Sequence, residues 1–410
     1  MSTNIQKNQI TEGIIWRQLL LFFFPILLGT FFQQLYNTID SVIVGQFVGK
    51  EALAAVGGSS AQIVAFVVGF FTGLSSGASV TIAQFFGAKD SRSANKGLHT
   101  AYAIAAFGGL ILTVSGIILT PFLLEMMNTP ADIVADSAVY LRIYFAGIIF
   151  VLIYNMGSAI LRATGDSKRP LYYLIVCCII NIVLDVLFVI VFHMGVMGVA
   201  VATLIAQAVS AVLVTLKLMR SEGILKLSVK QIRFHGSILK MQLKLGLPTG
   251  FEAILFSITN IAIQSAVNTF GTDTTAAWSA YGKLDAIFWM VSTAFGIAIT
   301  TFVGQNYGAG KMDRVRKSTR VCLLMDFIVS AVLVVFLIAA RFLLFRLFTN
   351  DSHVIEIGCD MLVLITPWYI VYVFIEVIAG ALRGVGNVVV PVVITLLGVC
   401  VLRIAWLAAM

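Results

Sequence analysis

Residues 161–170 read LRATGDSKRP, and residues 382–391 read LRGVGNVVVP. Leu161, Arg162, Gly165 and Pro170 match Leu382, Arg383, Gly386 and Pro391. A second pair of stretches, IAQFFGAKD (82–90) and FVGQNYGAGKMD (302–313), matches Gln84, Gly87 and Ala88 to Gln305, Gly308 and Ala309. Both pairs are displaced by the same 221 residues, Gln84 to Gln305 and Arg162 to Arg383. Equal displacement at two distant places marks an internal repeat, and FPILLG around Pro25 and LGLPTG around Pro248 open the two units alike.

The residues around these stretches set the environment. The chain is 60% hydrophobic and 11% charged, with a mean hydropathy of +1.00. Soluble domains carry roughly 25% charged residues. Runs such as AYAIAAFGGLILTVSGIILTPFLL (101–124) have the ~20 apolar residues that a bilayer crossing needs. Eleven such segments are expected, near 14–45, 53–85, 96–124, 133–162, 170–193, 197–219, 238–270, 274–307, 318–348, 355–383 and 388–410. The polar start MSTNIQKNQITEG has no cleavable signal pattern, so the first segment stays in the protein.

The net charge of +8 does not point to nucleic acid, because the basic residues sit in alternate connections. Lys89, Arg92 and Lys96 form one cluster, Arg162, Lys168 and Arg169 the next, then Lys217 to Lys244, then Lys311 to Arg320. The intervening connections MNTPADIVADS, FHMGVMG, FGTDTT and TNDSHVIE are poor in them. By the positive-inside rule the N-terminus is cytoplasmic. Both copies of each repeat motif then lie on one side, so the units share one topology, related by an axis along the membrane normal.

The fold class expected is an all-α polytopic membrane protein, two six-helix bundles in a parallel pseudo-twofold repeat. Helices one to six occupy 1–225, a basic cytoplasmic linker 226–237, and helices seven to eleven 238–410. The chain stops at RIAWLAAM, and a twelfth helix is expected to be missing.

Charged residues inside such helices carry the chemistry. Asp40 sits in LYNTIDSVIVG and Asp185 in CCIINIVLDVLFVIV. A charge at bilayer depth costs about 2.5–3.5 kcal/mol even on lenient scales, so it needs a partner, a proton or an ion. Asn181 lies four residues before Asp185 and Asn37 three before Asp40, so each pair is expected on one helix face. Carboxylate plus amide oxygen is what hard cations prefer, and a buried carboxyl can equally carry a proton. Ordinary interhelical hydrogen bonding is the competing reading. Gln34, Tyr36 and Asn155 are candidates to extend this polar network into a cavity.

The second unit offers Glu252, Lys283, Asp285 and Glu376. Lys283 is expected to neutralise one acid, leaving a surplus that suits an organic cation or a second proton; a structural ion-pair network is the alternative. Pro25 and Pro248 remove a backbone hydrogen bond inside helices one and seven, making each a hinge candidate or a static bend. Cys177, Cys178, Cys322, Cys359 and Cys400 read as small packing residues, and His99, His193, His235 and His353 share no metal-ligand spacing and read as interfacial. No Walker pattern is present, so ATP is not expected to drive this chain. No nucleophile triad is visible, so an enzyme is not expected.

Several stretches resemble the multidrug and toxic compound extrusion family, in the branch holding small Gram-positive drug exporters. They are FPILLGTFFQQLYNTIDSVIVGQFVG, GLSSGASVTIAQFFGAKD, LRATGDSKRP, NIVLDVLFV, GVMGVAVATLIAQ, GLPTGFEAILFSI, FGIAITTFVGQNYGAG and EVIAGALRGVGN, in family order along nearly the whole chain. The resemblance implies twelve helices in two bundles around a cavity that opens alternately to each side, and export of cationic or amphipathic compounds against entering Na+ or H+. It implies a cation site at Asp40, Asn181, Asp185 and Thr203, with Asp40 and Asp185 holding Na+ if sodium is the ion. It departs at one place. Some members carry an essential Glu two turns after the helix-seven proline, where this chain has Phe256; Glu252 is only one turn on, so that role is not transferred.

The expected partners are small organic cations and the lipid bilayer, with no nucleic acid and no cofactor beyond the coupling ion, in a monomer of a bacterial cytoplasmic membrane. A lipid-linked precursor flippase is the alternative, but it calls for arginines facing the cavity, whereas most Arg and Lys here lie in loops.

Overall fold

The computed structural model describes residues 9–409, and the polar stretch 1–8 and Met410 lie outside the described residues. Among those described, eleven helices are long and apolar enough to cross a membrane. They are α1 (Ile15–Phe47), α2 (Lys50–Gly87), α3 (Ser91–Met126), α4 (Val134–Ala163), α5 (Lys168–Val191), α6 (Gly195–Met219), α7 (Gly236–Asn268), α8 (Thr272–Gly308), α9 (Met312–Ala339), α10 (Ser352–Gly384) and α11 (Val389–Leu407). No strand occurs among the described residues. In lipid only a helix or a closed barrel satisfies every backbone group internally.

The repeat is written in local geometry. After α2, the Asp90 N–H donates to the Phe85 carbonyl; after α8, the Lys311 N–H donates to Asn306 in the same way. The intervening residues Lys89 and Gly310 both take positive φ, 59° and 71°. After α4 and α10, Gly165 and Gly386 adopt φ of 96° and 92°. Their N–H groups bond back to the carbonyls of Arg162 and Arg383. Glycine reaches that region without a Cβ clash, which accounts for its place in both motifs.

Two compact units emerge, Leu28–Ala253 and Met1–Leu27 with Ile254–Met410. The halves expected from sequence follow the chain, whereas these units follow packing, and each boundary falls inside a helix, α1 or α7. Both helices run unbroken through Pro25 and Pro248. In the first unit α4 packs against α2, α3 and α6, and in the second α8 packs against α9 and α10. The start of α1 belongs to the second unit, where Phe23 stacks on Phe295 at 4.0 Å and Phe22 meets Phe302 edge-on at 6.0 Å. The start of α7 belongs to the first unit, where Gln242 Nε2 donates to the Gly97 carbonyl at 2.9 Å.

The segments ahead of α1 and α7 dock accordingly. Arg314 Nη2 donates to the carbonyls of Ile10 and Gly13 at 2.8 and 2.9 Å, and Lys311 Nζ to that of Thr11 at 3.0 Å. The linker is tied to α3: Asn95 Nδ2 donates to the Ile224 and Lys226 carbonyls, and the Ser228 N–H donates to His99 Nε2 at 3.0 Å. His99 is 1% exposed, so it is a buried clamp rather than an interfacial side chain. All five cysteines are buried and free.

The ninth segment was expected to run to 348. It ends instead at Ala339 and a separate short helix, Arg341–Arg346, follows. Arg341 Nη1 donates to the Ile338 carbonyl at 2.8 Å, satisfying an acceptor that the helix end leaves open.

Candidate functional site

Four side chains meet in the first unit. Asp40 comes from α1, Asn181 and Asp185 from α5 and Thr203 from α6, and they are 7%, 1%, 0% and 8% exposed. Thr203 Oγ1 donates to Asp40 Oδ2 at 3.5 Å. Asp185 and Asn181 stand beside the same carboxyl without completing a hydrogen bond to it. Oδ1 of Asp40, both oxygens of Asp185 and both amide atoms of Asn181 are buried with no hydrogen-bond partner. Directly after Asp185, α5 widens into π turns over Val186–Val191, a distortion that recurs at functional places in helices.

Unpaired buried polar atoms each cost about 1–3 kcal/mol, and native structures rarely leave several together. Here they converge, and most are oxygens. Two carboxylates, one amide oxygen and one hydroxyl form the donor set of a hard cation. Two carboxyls side by side also suit a shared proton, since they do not readily ionise together. No group of three or more His, Cys, Asp or Glu side chains suited to a metal occurs among the described residues; this cluster reaches its ligand number through Asn181 and Thr203.

Around the cluster, Tyr36 is 6% and Gln207 8% exposed, and Gln207 Nε2 donates to Tyr36 Oη at 3.1 Å. Tyr140 lies near both Asp40 and Asp185 and stacks on Tyr144 at 6.2 Å. Gln207 and Tyr140 went unread in the sequence, although each sits at a helical step from a partner: Gln207 four after Thr203, Tyr140 four before Tyr144. Asn37 does not join. It is exposed, as is Gln34, and Asn155 on α4 is half-buried. Along α1, Tyr36 and Asp40 are buried while Asn37 is exposed, so Asn37 is not part of the buried cluster.

The acids of the second half are distributed otherwise than expected. Glu252 falls in the unit Leu28–Ala253, whereas Lys283, Asp285 and Glu376 belong to the other. Lys283 is exposed and neutralises no acid; the salt bridges among the described residues are Arg169–Asp166 and Arg383–Glu376. Arg383 Nη2 lies 3.1 Å from Glu376 Oε1, so Glu376 contributes no surplus charge. Asp285 is held by aromatic donors, with Trp289 Nε1 donating to Oδ2 at 2.7 Å, Tyr281 Oη to Oδ1 at 3.5 Å, and Tyr369 Oη to Oδ1. Asp326, in CLLMDFIVSAVLVVF, is 0% exposed and was missed. Its signal, an acid within an apolar run, is the one that singled out Asp40 and Asp185.

The MatE family profile matches residues 25–187 and 248–407, one match in each half. The chain belongs to the MatE family. Relatives include the probable multidrug resistance proteins YoeA and YpnP of Bacillus subtilis (strain 168). YoeA is 30% identical over 94% of this chain and 84% of its own length. YpnP is 31% identical over 97% of this chain and 89% of its own. A solved structure described as the outward-facing conformation of a multidrug resistance MATE family transporter superposes with a TM-score of 0.89. It shares 22% identity over 96% of this chain and 88% of that one, a likeness of fold. The MatE assignment and the eleven apolar helices make the chain a multi-pass bacterial membrane protein.

Proposed function

We propose that this chain is a secondary antiporter that exports cationic or amphipathic small molecules in exchange for Na+ or H+ by alternating access. The observation that carries this reading is the set of buried, unpartnered polar atoms on Asp40, Asp185 and Asn181. As cargo, a cation or proton there removes the repulsion between the carboxyls and satisfies their oxygens. When it leaves, α1, α5 and α6 no longer share a ligand. Any difference in cation affinity between two cavity states then biases the balance between them. The alternation of basic connections supports a cytoplasmic N-terminus.

Substrate class is supported by Asp285, a carboxylate bonded to Trp289, Tyr281 and Tyr369. Aromatic rings around an acid favour organic cations, by about 0.5–2 kcal/mol per well-placed ring. The relatives' designation as multidrug resistance proteins points the same way.

The test is efflux of a fluorescent organic cation from proteoliposomes under a sodium gradient alone and a proton gradient alone. Efflux should follow one of the two gradients and be lost in Asp40→Asn. Efflux indifferent to both gradients would sink the antiport reading.

A further inference from the structure

We infer that Asp326, in the second unit, is a proton-binding site separate from Asp40 and Asp185. It lies midway along α9, fully buried. Ser330 Oγ, one turn on, donates to its Oδ1 at 3.1 Å. Oδ2 is buried and has no hydrogen-bond partner.

The groups that face it come from three helices. On α9 itself Cys322 lies one turn back, its thiol directed at the Phe295 carbonyl of α8 at 4.0 Å. On α10 the charged neighbour is Glu376. Both oxygens of Glu376 are engaged: Oε1 takes Arg383 Nη2 at 3.1 Å and Oε2 takes Tyr372 Oη at 3.3 Å. On the α8 side Glu376 rests against Gly296, so closely that a methyl group there would collide with its carboxyl. Arg383 is thus committed to Glu376, and Asp326 is in neither of the salt bridges among the described residues.

Burial of an ionised carboxylate with one donor, no counter-charge and a second carboxylate nearby is strongly unfavourable. A hard metal ion does not solve this. It takes six or so oxygens, whereas Glu376 is already occupied and only Asp326 and the Ser330 hydroxyl remain. A proton on Oδ2 needs no further ligand. Glu376, with a side chain 18% exposed, is the route to solvent. On release the O–H bond at Asp326 breaks and the proton passes to a water molecule entering from the side of Glu376. The site does not require the export reading; its use in coupling does.

Infrared spectroscopy of the full chain in liposomes tests the site without any transport assay. At neutral pH the wild type should show a protonated-carboxyl C=O band that shifts in D2O, fades reversibly on alkaline titration and is absent from Asp326→Asn. A spectrum unchanged by Asp326→Asn, or a band that no alkaline pH removes, would overturn the proposal. If Asp326→Asn does not fold, Asp326→Glu is read instead: the band must move, and an unmoved band counts against the site.

Discussion

Asp40 is the point at which sequence, packing and proposed chemistry meet, and its isosteric variant is the sharpest test of that meeting. Asp40→Asn keeps the side-chain volume and the acceptor for Thr203 but removes one of two facing carboxylates. Gradient-driven export should fall to background while the protein still elutes as a folded species and binds dye. Normal export would show that the cluster is structural. Thr203 tests the weaker ligand. Thr203→Ala removes the Thr203 hydroxyl bond to Asp40 and should lower apparent cation affinity several-fold. Thr203→Ser, which keeps the hydroxyl, should retain most of it; equal losses in both variants would assign Thr203 to packing.

At this scale the sequence was legible where one residue contradicted its surroundings. Asp40 and Asp185 announce themselves because an acid in an apolar run is costly without a partner, a proton or an ion. Asp326 carried the same signal. The differing burial of Asn37 and Asp40 was not legible, because three residues along a helix turn the side chain about 60° short of a full circle, and four overshoot it by about 40°. Which neighbour is buried then depends on what packs against α1, and that is absent from the local sequence. The pairing of Glu376 with Arg383 is equally a matter of rotamers seven residues apart.

Helices meet most closely where side chains vanish. Gly73 and Gly77 on α2 face Gly246 and Gly250 on α7, a pair of matched four-residue glycine spacings. A Cβ on Gly246 would lie 2.8 Å from the Leu74 carbonyl oxygen, and one on Gly250 2.8 Å from that of Phe70. Gly69, one turn before Gly73, has room, since its added Cβ would meet Ala253 at an ordinary 3.5 Å. Gly246→Ala should therefore lower the apparent melting temperature of the purified protein by several degrees, in keeping with the ~1–3 kcal/mol of overpacking. Gly69→Ala should leave it nearly unchanged. Equal shifts would mean that the seam is not tight. The partners of these glycines were not legible in the sequence, because α2 and α7 are far apart in the chain.

The repeat spacing foresaw the local geometry of the whole molecule at residues as distant as Gly165 and Gly386. The packing units were not foreseeable in this way, since hydropathy marks where a helix lies and not what it touches. Because the first unit includes the start of α7, a fragment 1–225 lacks Gln242 and the glycines that cover α2. Expressed alone it should be protease-sensitive and polydisperse. Co-expression with 226–410 should restore a resistant, monodisperse complex, whereas a resistant fragment 1–225 would show that α7 is dispensable there.

The exchange of first segments also fixes an order of events during synthesis. The opening of α1, with Phe22 and Phe23, leaves the ribosome long before the rings that receive it, Phe302 and Phe295, which lie on α8. A chain made of separate domains completes the first while the second is still being translated. Here the opening of α1 waits for α8, and α2 waits for α7. The membrane must therefore hold α1 provisionally until α8 is inserted and hold α2 provisionally until α7 is inserted, so each unit closes only after a helix from far along the chain has arrived.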